Sequence, residues 1–337
     1  MSAKNRVLVT GAGGYIGSIA SYLLLQQGYS VVALDNFSRG YKKPLVLLQK
    51  IFGKEKLHIY KKDLAENLSS IFKKEEIDAV LHYAAYCIVD ESMKNPYTYL
   101  NSNIAAASNL LESMAKYHVK KIVFSSTCAV YGDAHYIPVD EKHPTNPENP
   151  YGESKLMVEK IIEWYGKLKG IHYCILRYFN VCGASDDGLM GDSKKPSSLL
   201  VQNAVRGALG IEQFYLTCPQ VKTPDKTPIR DFINVMDLNE AHLLALQYLA
   251  SGGKSDIINL GTGSGNSVME IVRKVQETTG VQFKLNKTTP RRGDYAKTIA
   301  SINKAQKVLG WKPKRKITDS ILSLVKWYRN HPNGWKR

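Results

Sequence analysis

A tyrosine four residues before a lysine can form a catalytic pair, because one helical turn brings both side chains to the same face. A neighbouring ammonium favours the phenolate form of a tyrosine, whose pKa is ordinarily about 10, and so helps it act as a base. The spacing occurs three times: Tyr117 with Lys121, Tyr151 with Lys155, and Tyr165 with Lys169. Spacing alone does not choose among them.

The surrounding sequence favours Tyr151 and Lys155 as the catalytic pair. Asn149 and Pro150 mark a helix start, which predicts that Tyr151 lies in its first turn. The preceding apolar run ends in hydroxyl residues, among them Thr127, which could hydrogen-bond a reacting alcohol. By contrast, Tyr117 ends a helical pattern. Tyr165 lies inside one, where the helical spacing of Met157, Ile161, Tyr165 and Leu168 predicts a face directed to the core. The predicted chemistry is hydride transfer to a bound nicotinamide, with Tyr151 moving the proton. The nicotinamide cation and the Lys155 ammonium together would lower the pKa of Tyr151.

A glycine-rich turn supplies the matching cofactor site. "VLVTGAGGYIGS" places Gly11, Gly14 and Gly17 after an apolar strand and at the mouth of a helix, where a pyrophosphate can meet free backbone N–H groups. The next strand ends in Asp35, a residue type that accepts hydrogen bonds from a ribose and repels a 2′-phosphate. NAD is therefore predicted, and Arg39 is a weaker argument for NADP.

The elements that must position these residues alternate between strand and helix patterns. Such alternation predicts an α/β fold, a Rossmann-type doubly wound parallel sheet with helices on both faces. The alternation stops after Asn180. We therefore expect an NAD-binding domain over residues 1–180 and a smaller mixed α/β substrate domain over 181–337, with some later segments returning to the first domain. The predicted strands are 6–10, 30–35, 57–63, 78–85, 120–126 and 172–180.

The composition excludes several other classes. The 337 residues carry a formal net charge of +16, but the lysine pairs are spread along the chain, which favours a charged small substrate such as a nucleotide over a nucleic acid. Five cysteines with no Cys-x-x-Cys pair argue against a zinc site or a disulfide framework, and no metal is expected. No signal-peptide pattern or membrane-length apolar run occurs, so a cytoplasmic protein is expected.

Several motifs in order resemble one family over nearly the whole chain. "TGAGGYIGS", "FSSTCAVYGD", "PYGESK" and "RYFN", followed by "RDFINVMDLNEAH" and "NLGTGSGNSVMEIV", are similar to the extended short-chain dehydrogenase/reductase family. The resemblance implies an isomerase with tightly bound NAD that inverts carbon 4 of a UDP-sugar, interconverting UDP-galactose and UDP-glucose through a 4-keto sugar. It also implies a homodimer.

The resemblance assigns roles residue by residue. Tyr151 would be the acid/base, Lys155 would hold the nicotinamide ribose and tune the tyrosine, and Thr127 would contact the sugar hydroxyl. The remaining cofactor contacts would be Gly11, Gly14, Tyr15, Ile16, Gly17, Asp35, Asn36, Asp63, Leu64, Tyr83, Ala84, Ala85, Asn103 and Phe179. The substrate would also meet Asn180, Ser198, Leu199, Arg230, Arg292 and Asp294.

Three departures from the family pattern leave alternatives open. "PRRGD" is one residue short, so either Arg291 or Arg292 could meet the diphosphate. Phe214, Tyr215 or Thr217 could stack on uracil. Thr298 falls where the family has a tyrosine or a smaller residue, and the smaller residue accompanies N-acetylated sugars.

Competing functions are a related epimerase acting on a UDP-N-acetylhexosamine or a UDP-pentose, and a catalytically silent NAD-binding protein that binds RNA. A 4,6-dehydratase would need Asp-Glu where Cys128 and Ala129 follow Thr127. That chemistry therefore lacks its carboxylates.

Overall fold

The computed structural model describes residues 5–195, 197–288 and 295–336. Its centre is a seven-stranded parallel sheet in the order β11-β6-β5-β4-β1-β2-β3. Six of these strands follow the order 3-2-1-4-5-6 of a dinucleotide-binding sheet, so the predicted fold class is confirmed. The strands are β1 (Arg6–Thr10), β2 (Ser30–Asp35), β3 (Leu57–Lys61), β4 (Ala79–His82), β5 (Lys121–Ser125), β6 (His172–Tyr178) and β11 (Asp256–Leu260).

Alternate residues of each strand are buried on opposite faces, which is why the strands read as continuous apolar runs. Val7 and Val9 of β1 pack into one apolar cluster with helices α1, α2 and α8, and Leu8 between them packs into another with α3, α5 and α6. These helices are α1 (Tyr15–Gln26), α2 (Lys42–Phe52), α3 (Ser69–Glu75), α5 (Pro96–Lys116), α6 (Pro150–Lys169) and α8 (Val235–Ala250), with the short α4 (Val89–Lys94) before α5. The active-site edge of the sheet is thus held from both sides.

The chain leaves the sheet at Phe179, where the sequence predicted one unbroken strand. The Phe179 N–H donates to the Leu260 carbonyl, and the Asn180 N–H donates to the Asp231 carbonyl. The short strand β7 (Asn180–Cys182) then pairs in parallel with β10 (Phe232–Asn234). Asn180 is therefore the first residue of a separate small sheet.

The remaining elements lie beside the seven-stranded sheet, and one strand of the second half of the chain, β11, joins it. They are β8 (Tyr215–Leu216), β9 (Ile229–Arg230), β12 (Asn266–Ser267), β13 (Asn286–Lys287), β14 (Lys297–Thr298), α7 (Leu200–Ala208), α9 (Val268–Thr279), α10 (Asn303–Leu309) and α11 (Ile317–Asn330). β9 lies between β12 and β14, and β8 pairs with β13. β11, although late in the chain, extends the large sheet beside β6. Among the helices of the described ranges, none has the length and apolar character to cross a membrane.

Candidate active site

The turn between β1 and α1 brings backbone unusually close to backbone. Gly11 has φ +68°, and a Cβ there would lie 2.7 Å from the Ala84 nitrogen. A Cβ on Gly17 would lie 2.2 Å from the Gly11 carbonyl oxygen, so both positions require glycine. Gly14 begins α1 without a side-chain cap or an acidic residue in the first turn. The helix N-terminus is thus left for an external anion.

Asp35 lies at the end of β2 beside this turn. Its carboxylate accepts hydrogen bonds from the Gly13 N–H (2.9 Å) and the Phe37 N–H (2.7 Å). Burial raises its pKa, and these two hydrogen bonds oppose the rise. The carboxylate is therefore oriented by backbone donors against the glycine turn, where a ribose would lie.

Arg39, the residue that suggested NADP, has a partner inside the protein. Its guanidinium forms an ion pair with Glu91 and lies 4.7 Å from the centre of the Tyr86 ring. The Glu91 carboxylate raises the pKa of Arg39, and Arg39 lowers that of Glu91. An arginine paired in this way is poorly placed to bind a 2′-phosphate.

Polar side chains on the neighbouring strand ends shape the rest of the pocket. The Asn36 side-chain amide donates to Asp63 (2.6 Å), whose other oxygen accepts from the Ala65 N–H. Asn103 of α5 accepts from the Tyr86 N–H (2.8 Å) and donates to Ser154 of α6 (3.0 Å). Asn103 therefore ties the loop after β4 to the helix that carries the tyrosine.

The start of α6 is built as the sequence indicated. Asn149 caps the helix by accepting from the Gly152 N–H (2.9 Å), and Pro150 occupies its first turn. A Cβ on Gly152 would lie 2.6 Å from the Ala129 carbonyl oxygen, so the helix start lies close against the 3₁₀ turn Cys128–Val130 that follows Thr127. This contact brings Tyr151 within hydrogen-bonding reach of Thr127.

Tyr151 and Lys155 are both buried, and burial dominates their protonation. Burial raises the pKa of Tyr151 well above its ordinary value, the nearby Tyr178 and Cys87 raise it further, and the hydrogen bond with Thr127 opposes this. Burial lowers the pKa of Lys155 to about 8. The Lys155 ammonium donates to the Ser125 carbonyl (2.7 Å) and lies 4.7 Å from the centre of the Phe124 ring. In the protein without cofactor, burial therefore dominates the pKa of Tyr151. The expected lowering of this pKa by Lys155 together with a bound nicotinamide cation concerns the NAD complex and stays a prediction.

The buried face of α6 differs from the predicted one. Met157 is 38% exposed and Leu168 is 71% exposed, so the expected packing of these residues is wrong. The face that reaches the interior carries Tyr151, Lys155, Val158 and Ile162 instead. The Tyr165 hydroxyl donates to Glu112 of α5 at the surface (3.0 Å), which leaves that tyrosine with a structural role.

One cavity of about 430 Å³ brings the predicted cofactor and catalytic residues together. It runs from the glycine turn, past Asp35, to the tyrosine. The predicted residues that line it are Gly11, Gly14, Tyr15, Ile16, Gly17, Asp35, Asn36, Asp63, Leu64, Tyr83, Ala84, Ala85, Asn103, Thr127, Tyr151, Lys155, Phe179, Asn180, Ser198 and Leu199.

A second cavity of about 120 Å³ shares part of its wall with the first. Asn180, Ser198 and Leu199 line both cavities. Arg230 lines only the second, where its guanidinium donates to the Tyr295 carbonyl (2.8 Å). The neighbouring Asp231 is buried, and its carboxylate accepts hydrogen bonds from the backbone N–H groups of Thr262, Gly263 and Ala300.

The three candidates for stacking on uracil all line the second cavity, but differently. Phe214 is buried and its ring packs edge-on against Phe283 (5.5 Å between ring centres), which makes it a wall residue. Tyr215 is 50% exposed and Thr217 is half-buried. Arg291, Arg292 and Asp294 lie outside the described residues. Thr298 is buried in β14, in register with Arg230 of β9, and lines neither cavity.

Residues that sequence reasoning missed also line the larger cavity. Tyr178, at the end of β6, accepts a hydrogen bond from the Ser125 hydroxyl (2.8 Å) beside Tyr151. Asp192, Ser193, Lys194 and Trp335 come from segments far along the chain. Tyr178 could have been predicted from the sequence, because it ends a predicted strand of the parallel sheet, at the edge where ligands bind. For the distant segments no local signal exists, since only the folded chain brings them to the cavity.

A glycine turn at a helix N-terminus, a carboxylate at the end of the second strand and a buried Tyr–Lys pair meet at one cavity. This combination is typical of dinucleotide-dependent enzymes that transfer a hydride and a proton. Comparison with known proteins agrees. A model described as "NAD dependent epimerase/dehydratase family" matches residues 7–261, and the chain belongs to this family.

Individual relatives match over almost the full chain. UDP-glucose 4-epimerase of Lactobacillus helveticus is 40% identical over 98% of this chain and 99% of its own length. UDP-arabinose 4-epimerase 1 of Arabidopsis thaliana is 38% identical over 98% of this chain and 80% of its own length. The crystal structure of UDP-glucose 4-epimerase from Bifidobacterium longum in complex with NAD+ and UDP has a TM-score of 0.92 at 34% identity, covering 98% of this chain and 100% of that one.

NAD is the cofactor of this family, and the residues present fit it. The tight Gly11–Gly17 contact leaves the helix N-terminus open to a diphosphate, and the oriented carboxylate of Asp35 suits an unphosphorylated ribose.

Proposed function

We propose that this chain is a UDP-sugar 4-epimerase that interconverts UDP-galactose and UDP-glucose through a 4-keto sugar. The observation that carries the proposal is the meeting, at one cavity, of the buried Tyr151, Lys155 and Thr127 with the NAD-type turn. The cavity continues into a second one lined by Arg230, at the place where a nucleotide diphosphate would follow the sugar. The resemblance of relatives to this chain supports the same activity.

Each residue has a role that follows from its position. Tyr151 takes the proton of the sugar 4-hydroxyl and returns it, and Thr127, within hydrogen-bonding reach of the phenol, orients that hydroxyl. Lys155 keeps an ammonium next to the phenol and stabilises its ionised form. NAD supplies a hydride acceptor, and then a donor, for carbon 4. Because hydride must return to the opposite face, the sugar has to turn within the cavity.

The UDP portion is held by the second half of the chain. Residues 181–337 anchor the nucleotide, and β11 returns from them to the domain of residues 1–180. An arginine fork such as that of Arg230 suits phosphate oxygens, with Arg292 and Asp294 the further contacts we propose. Asn180, Ser198 and Leu199 line both cavities and would lie at the junction of sugar and diphosphate.

A UDP-N-acetylhexosamine is a second candidate substrate, because the resemblance implies that a residue smaller than tyrosine at Thr298 accompanies N-acetylated sugars, although Thr298 itself lines neither cavity. Its hydroxyl is buried without a hydrogen-bond partner among the described residues, beside the strand of Arg230. A UDP-pentose would use the same catalytic residues. It is a third candidate substrate because the chain is similar to UDP-arabinose 4-epimerase 1 of Arabidopsis thaliana.

A homodimer formed through the outer face of α6 accounts for the exposure of its apolar residues. Met157, Trp164 and Leu168 lie at helical spacing on one face, and Trp164 is 58% exposed. A Trp164→Glu variant should shift the mass measured by light scattering from two chains to one, whereas two chains in the variant would reject this interface.

The five free cysteines support a cytoplasmic location.

The deciding experiment is to incubate purified protein with UDP-galactose, without added cofactor, and to measure UDP-glucose. Product formation is expected because NAD stays bound. Tyr151→Phe should lower kcat by at least about 10²-fold, since the group that moves the proton is gone, while the NAD content stays at the wild-type level. Full activity in Tyr151→Phe would refute the proposed chemistry.

A further inference from the structure

The segment from Asp192 to Lys195 forms part of the wall of the cofactor cavity and is held from three sides. The Tyr41 hydroxyl donates to the Ser193 carbonyl (2.9 Å), and the indole N–H of Trp327 donates to the Asp192 carbonyl (3.1 Å). The Trp335 backbone N–H donates to the Ser193 hydroxyl (3.0 Å). The backbone that leads into Lys194 is therefore held by tertiary contacts.

This segment lies next to the glycine turn. The Tyr41 N–H donates to the Gly13 carbonyl (2.8 Å), so Tyr41 bridges the turn and Ser193. On its other side, the Lys194 ammonium lies 3.6 Å from the Cys87 sulfur, in the loop after β4. Lys194 thus lines the cavity and reaches from the segment beside the glycine turn to the loop after β4.

The cations that line the cavity differ in what they contact. Arg39 is paired with Glu91, and Lys62 lies 3.5 Å from Glu66. The Lys155 ammonium donates to the Ser125 carbonyl inside the protein. Within the part of the chain that the structure describes, those three are the other cations that line this cavity.

Lys194 is different, because it takes part in no ion pair with a carboxylate within residues 5–195, 197–288 and 295–336. Asp192 is close enough to raise the pKa of Lys194, after the larger effect of Cys87, but its oxygens accept from the Lys194 backbone N–H (3.2 Å) and the Ser197 hydroxyl (3.0 Å). The side-chain partner of this half-buried ammonium is the Cys87 thiol, to which it donates a hydrogen bond, and not a carboxylate, so its charge is available for a ligand.

We propose that Lys194 binds the diphosphate of NAD. The diphosphate carries two negative charges, and the α1 N-terminus offers N–H groups and a partial charge but no full positive charge. A lysine ammonium acts on phosphate as a point charge and needs no fork geometry. The inference rests on NAD as the cofactor and is independent of which sugar the protein epimerises.

The test compares Lys194→Met with Lys195→Met, a matched control on the same segment whose ammonium donates to the Asn333 side chain (2.9 Å) at the surface. Loss of a charge-assisted phosphate contact should weaken NAD binding by about 10- to 100-fold in Lys194→Met. The readout is the NAD content per chain after repeated gel filtration, measured by absorbance of the acid-released nucleotide. Lys195→Met should retain the wild-type content, and Lys194→Arg should recover most of it.

A second measurement needs no variant. Wild-type protein is acetylated with a lysine-reactive ester at saturating NAD and after NAD removal, and Lys194 and Lys195 are followed by mass spectrometry. NAD should suppress acetylation of Lys194 and leave Lys195 unchanged. Equal NAD content in the two Met variants, or equal labelling of Lys194 with and without NAD, would overturn the assignment.

Discussion

A buried ion pair behind the active site predicts a separable effect on stability and on rate. Glu159 lies on α6 one turn after Lys155 and is hydrogen-bonded to the Arg177 guanidinium of β6 at 2.5–3.2 Å. The side chains are 2% and 6% exposed. The Ser126 hydroxyl, next to Thr127, donates to the same carboxylate (2.5 Å). Glu159 therefore joins the helix of the tyrosine to the strand end that carries the threonine.

Glu159→Gln leaves the Arg177 charge buried without a countercharge. Burial lowers the pKa of Arg177, but Glu159 and Tyr131 together raise it by more than burial lowers it, so the arginine stays charged. Removing one partner of such a pair costs about 3–5 kcal/mol, which for a chain of this length corresponds to roughly 4–7 °C in Tm. The matched control is Glu163→Gln, one turn further along α6 and half-buried, which should change Tm by less than about 1 °C.

The assay separates packing from positioning through a double variant. Glu159→Leu combined with Arg177→Met removes both charges and should recover most of the lost Tm. It should still lower kcat by about 10- to 100-fold, with KM for UDP-galactose nearly unchanged, because Ser126 has lost the acceptor that fixes Thr127 relative to Tyr151. A double variant with wild-type kcat would show that Glu159 positions nothing. If Glu159→Gln had the same Tm as Glu163→Gln, the estimate of about 3–5 kcal/mol for the broken ion pair would be refuted.

Three further outcomes are expected. The pKa of Lys155 is lowered to about 8 by burial, so its ionised form destabilises the cofactor-free fold below pH 8, and this cost disappears as pH rises toward the unfolded value. Lys155→Met should therefore be more stable than wild type at pH 7, by on the order of 3 kcal/mol, and the gap in urea unfolding should close by pH 10; a constant gap would contradict this. Gly17→Ala should lose NAD because its Cβ meets the Gly11 carbonyl, whereas Gly28→Ala, where a Cβ meets nothing within 4 Å, should lose only about 1–2 kcal/mol of stability and retain NAD; equal NAD contents would count against the close-approach argument. UDP-N-acetylgalactosamine should be turned over, and Thr298→Tyr should abolish this while sparing UDP-galactose; good turnover of UDP-galactose alone by the wild type would reject the role of Thr298.

Local patterns were sufficient for the main elements of the site. The strand patterns of β1 and β2 and the glycine turn between them depend on contacts within about 30 residues, so periodicity and turn chemistry predicted them. The capped start of α6 at Asn149 is equally local. The exposure of Met157 and Leu168 was not predictable in this way, because an apolar residue at helical spacing does not reveal which face the rest of the fold covers.

By itself, the sequence determined the order of strands and helices along the chain and the need for glycine at positions 11 and 17. It also led to the prediction that Tyr151, of three equally spaced tyrosines, is the catalytic one. Only the tertiary structure decided which charged groups are paired, which reach the cavity and which pKa values are shifted. Arg39 is neutralised by a carboxylate 52 residues away, Lys194 reaches the cofactor cavity from the second half of the chain, and burial rather than Lys155 controls the pKa of Tyr151. The physical reason is that electrostatic energy depends on distance and solvent exposure in three dimensions, neither of which a local sequence pattern contains.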